Sequence, residues 1–296
     1  MDRTTTTFLE GLSYGEAPRW HDGRLYWSDF FTHTVSSTDL NGNLRLEAEV
    51  PGQPSGLGWL PDGRLVVVSM QDHRLLVRGH DGSLEVLAEL APHTVYWANE
   101  LLVDEHGRCY VGSFGFDLDT FLAEHGVEGI FEAADRLTTC LVLVQPDGQV
   151  EVAAEGLLFP NGTVLLEGGQ VLVIAETLAL QLTAFDVDGE GRLSNRRVFA
   201  SLQPSLCAPD GICADAEGGI WVANSIAPEV LRVTEGGEIT DRVSTSQPAF
   251  ACMLGGPEGR HLFAVTAPNS IAADRRGARE GRIEVCEVEV PHAGRP

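Results

Sequence analysis

Short runs rich in β-branched and aromatic residues, with apolar and polar side chains alternating inside them, recur along the chain and are separated by tight glycine turns. The first stretch reads EAPRWH, a turn, RLYWSDF, a loop, TVSSTDL, a turn and LRLEAEV, which predicts four strands. Equivalent turns recur as HDG ending at Gly23, PDG at Gly63, EHG at Gly107, EGG at Gly169, AEG at Gly218 and PEG at Gly259, at intervals of 40, 44, 62, 49 and 41 residues. A second turn follows at 41–43, 80–82, 146–148, 188–191 and 235–237. Two hairpin turns per unit imply four strands per unit, and a period of about 40 to 50 residues is that of a propeller blade. The pattern predicts a single all-β domain over 1–296, a six-bladed β-propeller with four-stranded blades.

Two irregularities refine this architecture. The sixth unit shows only three strands, FACMLGG, HLFAVTA and RIEVCEVEV, before the chain ends, and TTTTFLEGL at the N-terminus is the natural fourth. Pairing there would close the ring and cover an open sheet edge. The long third interval follows from an insertion at about 117–137, DLDTFLAEHGVEGIFEAADR and its flanks, the one stretch with helix-forming composition. It falls between the second and third strands of blade three, on the face where each innermost strand begins, so it is a candidate lid over the channel mouth.

Aligning the six innermost strands on their turns brings EAPRW, SGLGW, NELLV, NGTVL, DGICA and ACMLG into register. Their first residues are Glu16, Ser55, Asn99, Asn161, Asp210 and Ala251. Taken singly, Asn161-Gly162 and Asp210-Gly211 read as turn residues and Asn99 as the cap of a bend. Their shared repeat position instead converges two carboxylates and two amides on one axis, and buried charge of that kind calls for a counter-ion. All-oxygen donors suit Ca²⁺, Mg²⁺ or Mn²⁺, and the geometry can admit Zn²⁺. The loops after the second strands add Asp29, Met70, Glu176, Asn224 and Asn269 on the same face, each of which alone reads as an ordinary solvated loop residue.

Composition removes several other classes. No run approaches the roughly 20 apolar residues of a membrane span, and the N-terminal MDRTTTTFLEGL has no apolar core of a secretory signal, so the cytoplasm is the expected compartment. A formal charge of −23 opposes nucleic-acid binding, which needs clustered Lys and Arg. The six cysteines form no CxxC pair and read as reduced thiols, and the nine histidines show no metal spacing. There is no G-x-S-x-G elbow to support a serine hydrolase. The expected partner is a small molecule.

The segments GEAPRW at 15–20, FPNGTVL at 159–165 and PDGICADAEGGIWVANS at 209–225 resemble the regucalcin and gluconolactonase family, which includes luciferin-regenerating enzyme. The resemblance implies a six-bladed propeller holding one divalent cation, Ca²⁺ foremost, on Glu16, Asn161 and Asp210. Asn99 would touch substrate or cation-bound water as well as the cation. Many family members hydrolyse lactones. This chain has Asn99-Glu100 where the family often has Asn-Asp, and Trp97 where sugar-lactone members carry an Arg. Trp97 beside Phe114 and Phe116 points to a more apolar substrate, although the two phenylalanines equally suit packing between blades. Glu100 and Glu176 complete the candidate substrate contacts, although Glu100, the next residue along the strand from Asn99, can instead point away from the cation. The expected reaction is metal-assisted hydrolysis of a lactone or related cyclic ester, with Asp210 as general base. The alternatives are a silent metal- or metabolite-binding propeller and a metal-dependent isomerase or condensing enzyme on the same scaffold.

Overall fold

The computed structural model describes residues 3–132 and 137–294. Alternating sequence becomes twisted antiparallel sheets, and the six sheets stand around one axis as the blades of a propeller. Blade one runs outward through Gly15–His21, Arg24–Asp29, Thr34–Thr38 and Leu44–Glu49, and each of the next four blades repeats that order. Blade six is built from Ala249–Gly255, His261–Thr266 and Gly281–Glu287, with Thr6–Leu12 from the N-terminus as its outer strand. The ring therefore closes as the alternation predicts. The same N-terminal segment does one thing more: Arg3–Thr4 lies parallel to Ile239–Ser244 as a fifth strand of blade five, so the start of the chain ties the last two blades together.

Every inner strand carries a one-residue bulge at its channel end. In blade two Pro54 pairs with Ser69 and the next partner of the ladder is Leu57 with Val67, three residues against two. A bulge bends the strand and re-aims a side chain, and here it turns the second residue of each strand towards the axis. In blades two, four and five the residue after it is a glycine that packs straight onto the neighbouring blade. A Cβ on Gly56 would come within 2.2 Å of Leu101 N, one on Gly162 within 2.4 Å of Ile212 N, and one on Gly211 within 2.6 Å of the Ala251 Cβ. None of these three glycines has positive φ. Asn161-Gly162 and Asp210-Gly211 are thus bulge positions in strands, where glycine serves close approach between blades.

The bulge also corrects the register of blade six. Ala249 pairs with Thr266 as Pro209 pairs with Asn224, so the residue equivalent to Asp210 is Phe250, one position before Ala251. Phe250 faces the channel, and Ala251 packs between blades with Trp27 and Phe263.

The insertion sits where the long interval places it, between Cys109–Ser113 and Thr138–Val144 of blade three, and contains the helix α1, Leu118–Glu132. Asp117 caps it by accepting hydrogen bonds from the Thr120 N–H at 3.0 Å and the Thr120 hydroxyl at 2.8 Å. Gly126, at φ 68°, breaks the helix midway. The end of the predicted insertion, 133–136, lies outside the described residues. A single-turn helix α2, Ala272–Arg275, follows the second strand of blade six. The six cysteines are unpaired, four of them buried. No described helix is long and apolar enough to cross a membrane.

One carboxylate adds to the seam between blades five and six. Glu284, on the third strand of blade six, accepts hydrogen bonds from the Thr5 hydroxyl, from the Ser246 N–H at 3.0 Å and from the Thr266 hydroxyl at 2.9 Å. Burial alone would raise its proton affinity, but the donors outweigh burial and hold the carboxyl below its usual 4.5. Its ionised form therefore stabilises the fold above about pH 4.5, and that contribution is lost as pH falls through the lower folded value. Hydrogen bonds to a charged group contribute about 1.5–3 kcal/mol, so Glu284→Gln is expected to cost about 2 kcal/mol in denaturant unfolding at pH 7. The gap between variant and parent should close at more acidic pH; a gap that persists there would assign the loss to something other than the charge.

Candidate active site

The channel end where the inner strands begin opens into a cavity of about 410 Å³. At its base the bulges bring together Glu16, Asn99, Asn161 and Asp210, all less than a tenth exposed. Neighbouring groups orient these side chains. The Asn161 amide nitrogen donates to the Thr177 hydroxyl at 3.3 Å and also hydrogen-bonds the Asp210 carboxyl, and the Thr177 hydroxyl donates to the Pro209 carbonyl at 2.7 Å, so the Asn161 carbonyl oxygen keeps its acceptor capacity. Asn99 is turned the other way. Its carbonyl accepts the Ser55 hydroxyl at 2.9 Å, so the amide nitrogen is what it offers to the cavity. Glu16 accepts the N–H of Ala17 at 3.2 Å, and Ala17 holds an uncommon φ of 48° to make the bulge.

Two carboxyls this deep repel each other and lack water. Burial raises the proton affinity of Glu16 well above the ordinary range, and the charges of Asp210 and Glu100 add to it. Burial and the Glu100 charge do the same to Asp210. Among the described residues lining the cavity there is no lysine or histidine, and the sole arginine, Arg276, stands at the mouth. With the Asn99 carbonyl taken by Ser55, which argues against the direct ligation expected of it, the remaining set of Glu16, Asn161 and Asp210 is all oxygen and, once ionised, carries unbalanced negative charge, which fits a hard divalent cation. Glu16, Asn161 and Asp210 have the free acceptor oxygens to hold it.

The other candidate residues divide. Trp97 and Phe114 line the cavity; Trp97 stacks on Tyr96 at 5.0 Å and Phe114 on Phe159 at 4.9 Å. Phe116 does not line it and backs the wall, 5.8 Å from Phe159. Glu100 points away from the cavity to an ion pair with Arg19 at 3.1 Å. Glu176 is fully buried in blade four, accepting the Leu158 N–H at 2.8 Å and pairing with Arg196 at 2.9 Å. Met70 and Asn269 reach the cavity, whereas Asp29 and Asn224 do not.

One rule accounts for Asp29, Glu176 and Asn224. Each ends its second strand and turns inward to accept a backbone N–H just before the inner strand of its own blade: Ser13 at 2.9 Å, Leu158 at 2.8 Å and Ala208 at 3.2 Å. The residue after each of them, Phe30, Thr177 and Ser225, faces the cavity instead. A one-residue step reverses the face of a strand. Tyr14 and Phe250 were equally absent from the sequence reading, and the bulge register is the signal that finds Phe250. Leu118 and Leu122 of α1 and Ile271 beside α2 complete the mouth, where Asp119 of α1 faces the backbone N–H of Ala272 and the Arg276 guanidinium.

The family model described as SMP-30/Gluconolactonase/LRE-like region matches residues 14–268, which spans every inner strand and all four residues of the buried layer. The chain belongs to this family. Among curated relatives it is similar to regucalcin of Xenopus laevis, 24% identical over 93% of this chain and 90% of that one. It is also similar to L-arabinolactonase of Azospirillum brasilense, 25% identical over 95% and 86% of the two chains. Among solved structures, the calcium-binding regucalcin of Agrobacterium tumefaciens superposes with a TM-score of 0.79 at 18% identity, over 100% of this chain and 98% of that one, which shows the shared fold.

Because Glu16 and Asp210 hold protons more tightly than ordinary carboxyls, a cation that takes their ionised forms must displace protons. Calorimetry of Ca²⁺ uptake in buffers of different ionisation enthalpy should show proton release near pH 6. Release should shrink, and affinity rise, as pH climbs through the raised values. Heats independent of buffer at every pH would contradict a cation held by these two side chains.

Proposed function

We propose that the protein hydrolyses a lactone or related cyclic ester that carries an apolar or aromatic substituent, with a divalent cation, Ca²⁺ foremost, on Glu16, Asn161 and Asp210. The reading rests on one observation, the buried oxygen layer at the foot of an aromatic cavity in a chain of this family. Lactonases among its relatives support the reaction class. When bound, the cation supplies Lewis acidity towards the ester carbonyl. Asp210, at the foot of the cavity beside the cation, serves as the base that takes a proton from the attacking water. The Asn99 amide nitrogen, with its carbonyl held by Ser55, is a fixed donor that orients substrate or water.

The cavity walls favour an apolar substrate for a reason beyond their aromatic content. A sugar lactone needs a hydrogen-bond partner for each hydroxyl it buries. Several polar wall groups are engaged within the protein, Thr177 with Pro209 O, Ser225 with Ala208 O at 3.1 Å, Gln53 with Gln71 at 2.8 Å, and Asn269 with Ile271 N and Asp274, both at 3.0 Å, which leaves chiefly Ser270 and Arg276 at the mouth and Asn99 at the base to meet a polar ligand. Trp97, Phe30, Phe114 and Phe250 offer ring surface in their place. A second reading, a cation-binding protein without turnover, draws on the likeness to the calcium-binding regucalcin of Agrobacterium tumefaciens. A panel of alkyl-, aryl- and sugar lactones, with and without added Ca²⁺, separates the two.

Asp210→Asn keeps a carbonyl oxygen for the cation but cannot take a proton, so kcat at saturating cation should fall by about 10² to 10⁴. Asn161→Ala, which removes a ligand oxygen and the amide that bonds Thr177 and Asp210 but no proton acceptor, should weaken cation binding and recover much of its rate when cation is added. Near-parental kcat in cation-saturated Asp210→Asn would remove Asp210 as base and move the role to Glu16, since Glu100 faces away from the cavity.

Replacement of 117–137 by a Gly-Ser linker should lower kcat/KM on the best substrate by more than tenfold and leave the unfolding midpoint nearly unchanged, because α1 contributes Leu118 and Leu122 to the mouth. Unchanged kcat and KM would make the insertion a surface excursion.

A further inference from the structure

Below the oxygen layer the channel holds a charge pair that substrate does not reach. Arg19, four residues into the inner strand of blade one, sends its guanidinium across to the inner strand of blade three. It donates to the Glu100 carboxylate at 3.1 Å, to the Leu101 carbonyl at 2.9 Å and to the Pro18 carbonyl at 2.9 Å. Both side chains are buried, Arg19 at 8% and Glu100 at 3% exposure. The lower side of Arg19 lines a second cavity, of about 390 Å³, which shares none of the residues of the upper one. The pair therefore forms the floor between the two halves of the channel.

Glu100 is the residue after Asn99, and its carboxylate repels both Glu16 and Asp210. A third carboxylate in this position would join the cation's shell or deepen the charge of the site unless something held and offset it. Once a cation has displaced the protons of Glu16 and Asp210, three carboxylates against one guanidinium leave a net charge of about −2 around the axis, which matches one divalent cation.

We propose that Arg19 is a positioning residue that clamps Glu100 beneath the oxygen layer, and so sets the charge of the centre at the value that selects a divalent over a trivalent cation. This rests on the cation-binding reading above. Without Arg19 the layer would carry one more negative charge and Glu100 would be free to turn upward; without both, the charge returns to that of the parent.

The test compares Ca²⁺ and Tb³⁺ binding to the full-length protein and to Arg19→Met, Glu100→Gln and the double variant, by calorimetry and by Tb³⁺ luminescence excited through Trp97. Residues behind metal ligands commonly shift affinity by about 10- to 100-fold. Arg19→Met should raise the Tb³⁺-to-Ca²⁺ affinity ratio about tenfold or more, Glu100→Gln should lower Ca²⁺ affinity about tenfold, and the double variant should restore the parental ratio. If Arg19→Met does not fold, because Glu100 is left buried and unpaired, Glu100→Gln and the double variant still differ only by the Arg19 charge, and their ratios should differ in the same sense. Tight Ca²⁺ binding with one ratio in all folded forms would overturn the role of the pair alone. No cation bound by the parent would overturn the cation reading and this inference with it.

Discussion

Inner strands that pack backbone to backbone around one axis impose the constraint from which the rest of the molecule follows. Where Gly56, Gly162 and Gly211 lie against the next blade, no side chain fits, and the bulge that places them there swings the preceding residue into the channel. Geometry that closes the ring thus also manufactures a ring of inward side chains at one end. Filling part of that ring with Glu16 and Asp210 sets two like charges in a space poor in water, which stands only if a counter-charge enters or protons remain. The cost in stability is borne elsewhere, by long antiparallel ladders and by the N-terminal strands that bind blades five and six.

Much of this was legible in the order of residues. Glycine turns at near-regular spacing disclosed the blades, a missing fourth strand disclosed the closing role of the N-terminus, and a shared repeat position disclosed Glu16, Asn99, Asn161 and Asp210 before any contact was visible. The failures are each one residue wide or one hydrogen bond deep. Phe250 was passed over for Ala251 because an unseen bulge shifts the register. Asp29, Glu176 and Asn224 drew attention because they are polar at strand ends, yet polarity there serves the protein's own N–H groups, and the channel is faced by the next residue in each case. That Glu100 can point away from the cation follows from its place next to Asn99 along the strand, but its partner Arg19 lies 81 positions away in sequence and is not legible there.

Polarity in the cavity is similarly deceptive. Counted by residue type, the walls hold enough hydroxyl and amide groups to read a sugar. Counted by the bonds those groups already make, they hold few that are unspent, and the surface left for a ligand is ring faces and alkyl chains. A group that satisfies its neighbour fixes a loop and contributes shape; only an unsatisfied one contributes recognition. The same distinction separates Asn161, whose carbonyl is free, from Asn99, whose carbonyl is taken, although the two occupy equivalent positions in the repeat.

Access to the layer is governed from opposite sides of the ring. α1 comes from blade three and α2 from blade six, and in a six-membered ring those blades face each other across the axis. Asp119 of the one meets the Ala272 N–H and Arg276 of the other, so the mouth is narrowed by a contact that spans it. Burial raises the proton affinity of Asp119 and Arg276 lowers it, with burial the stronger, as expected for a carboxylate at a roof that water only partly reaches. A contact of this kind lets the roof part without disturbing the floor, because Leu118 and Leu122 hang from an insertion while Glu16, Asn161 and Asp210 stand on strands. Under the proposed function, ligands fixed on strands below a roof carried by an insertion would let an apolar ring enter from above while the oxygen layer stays in place.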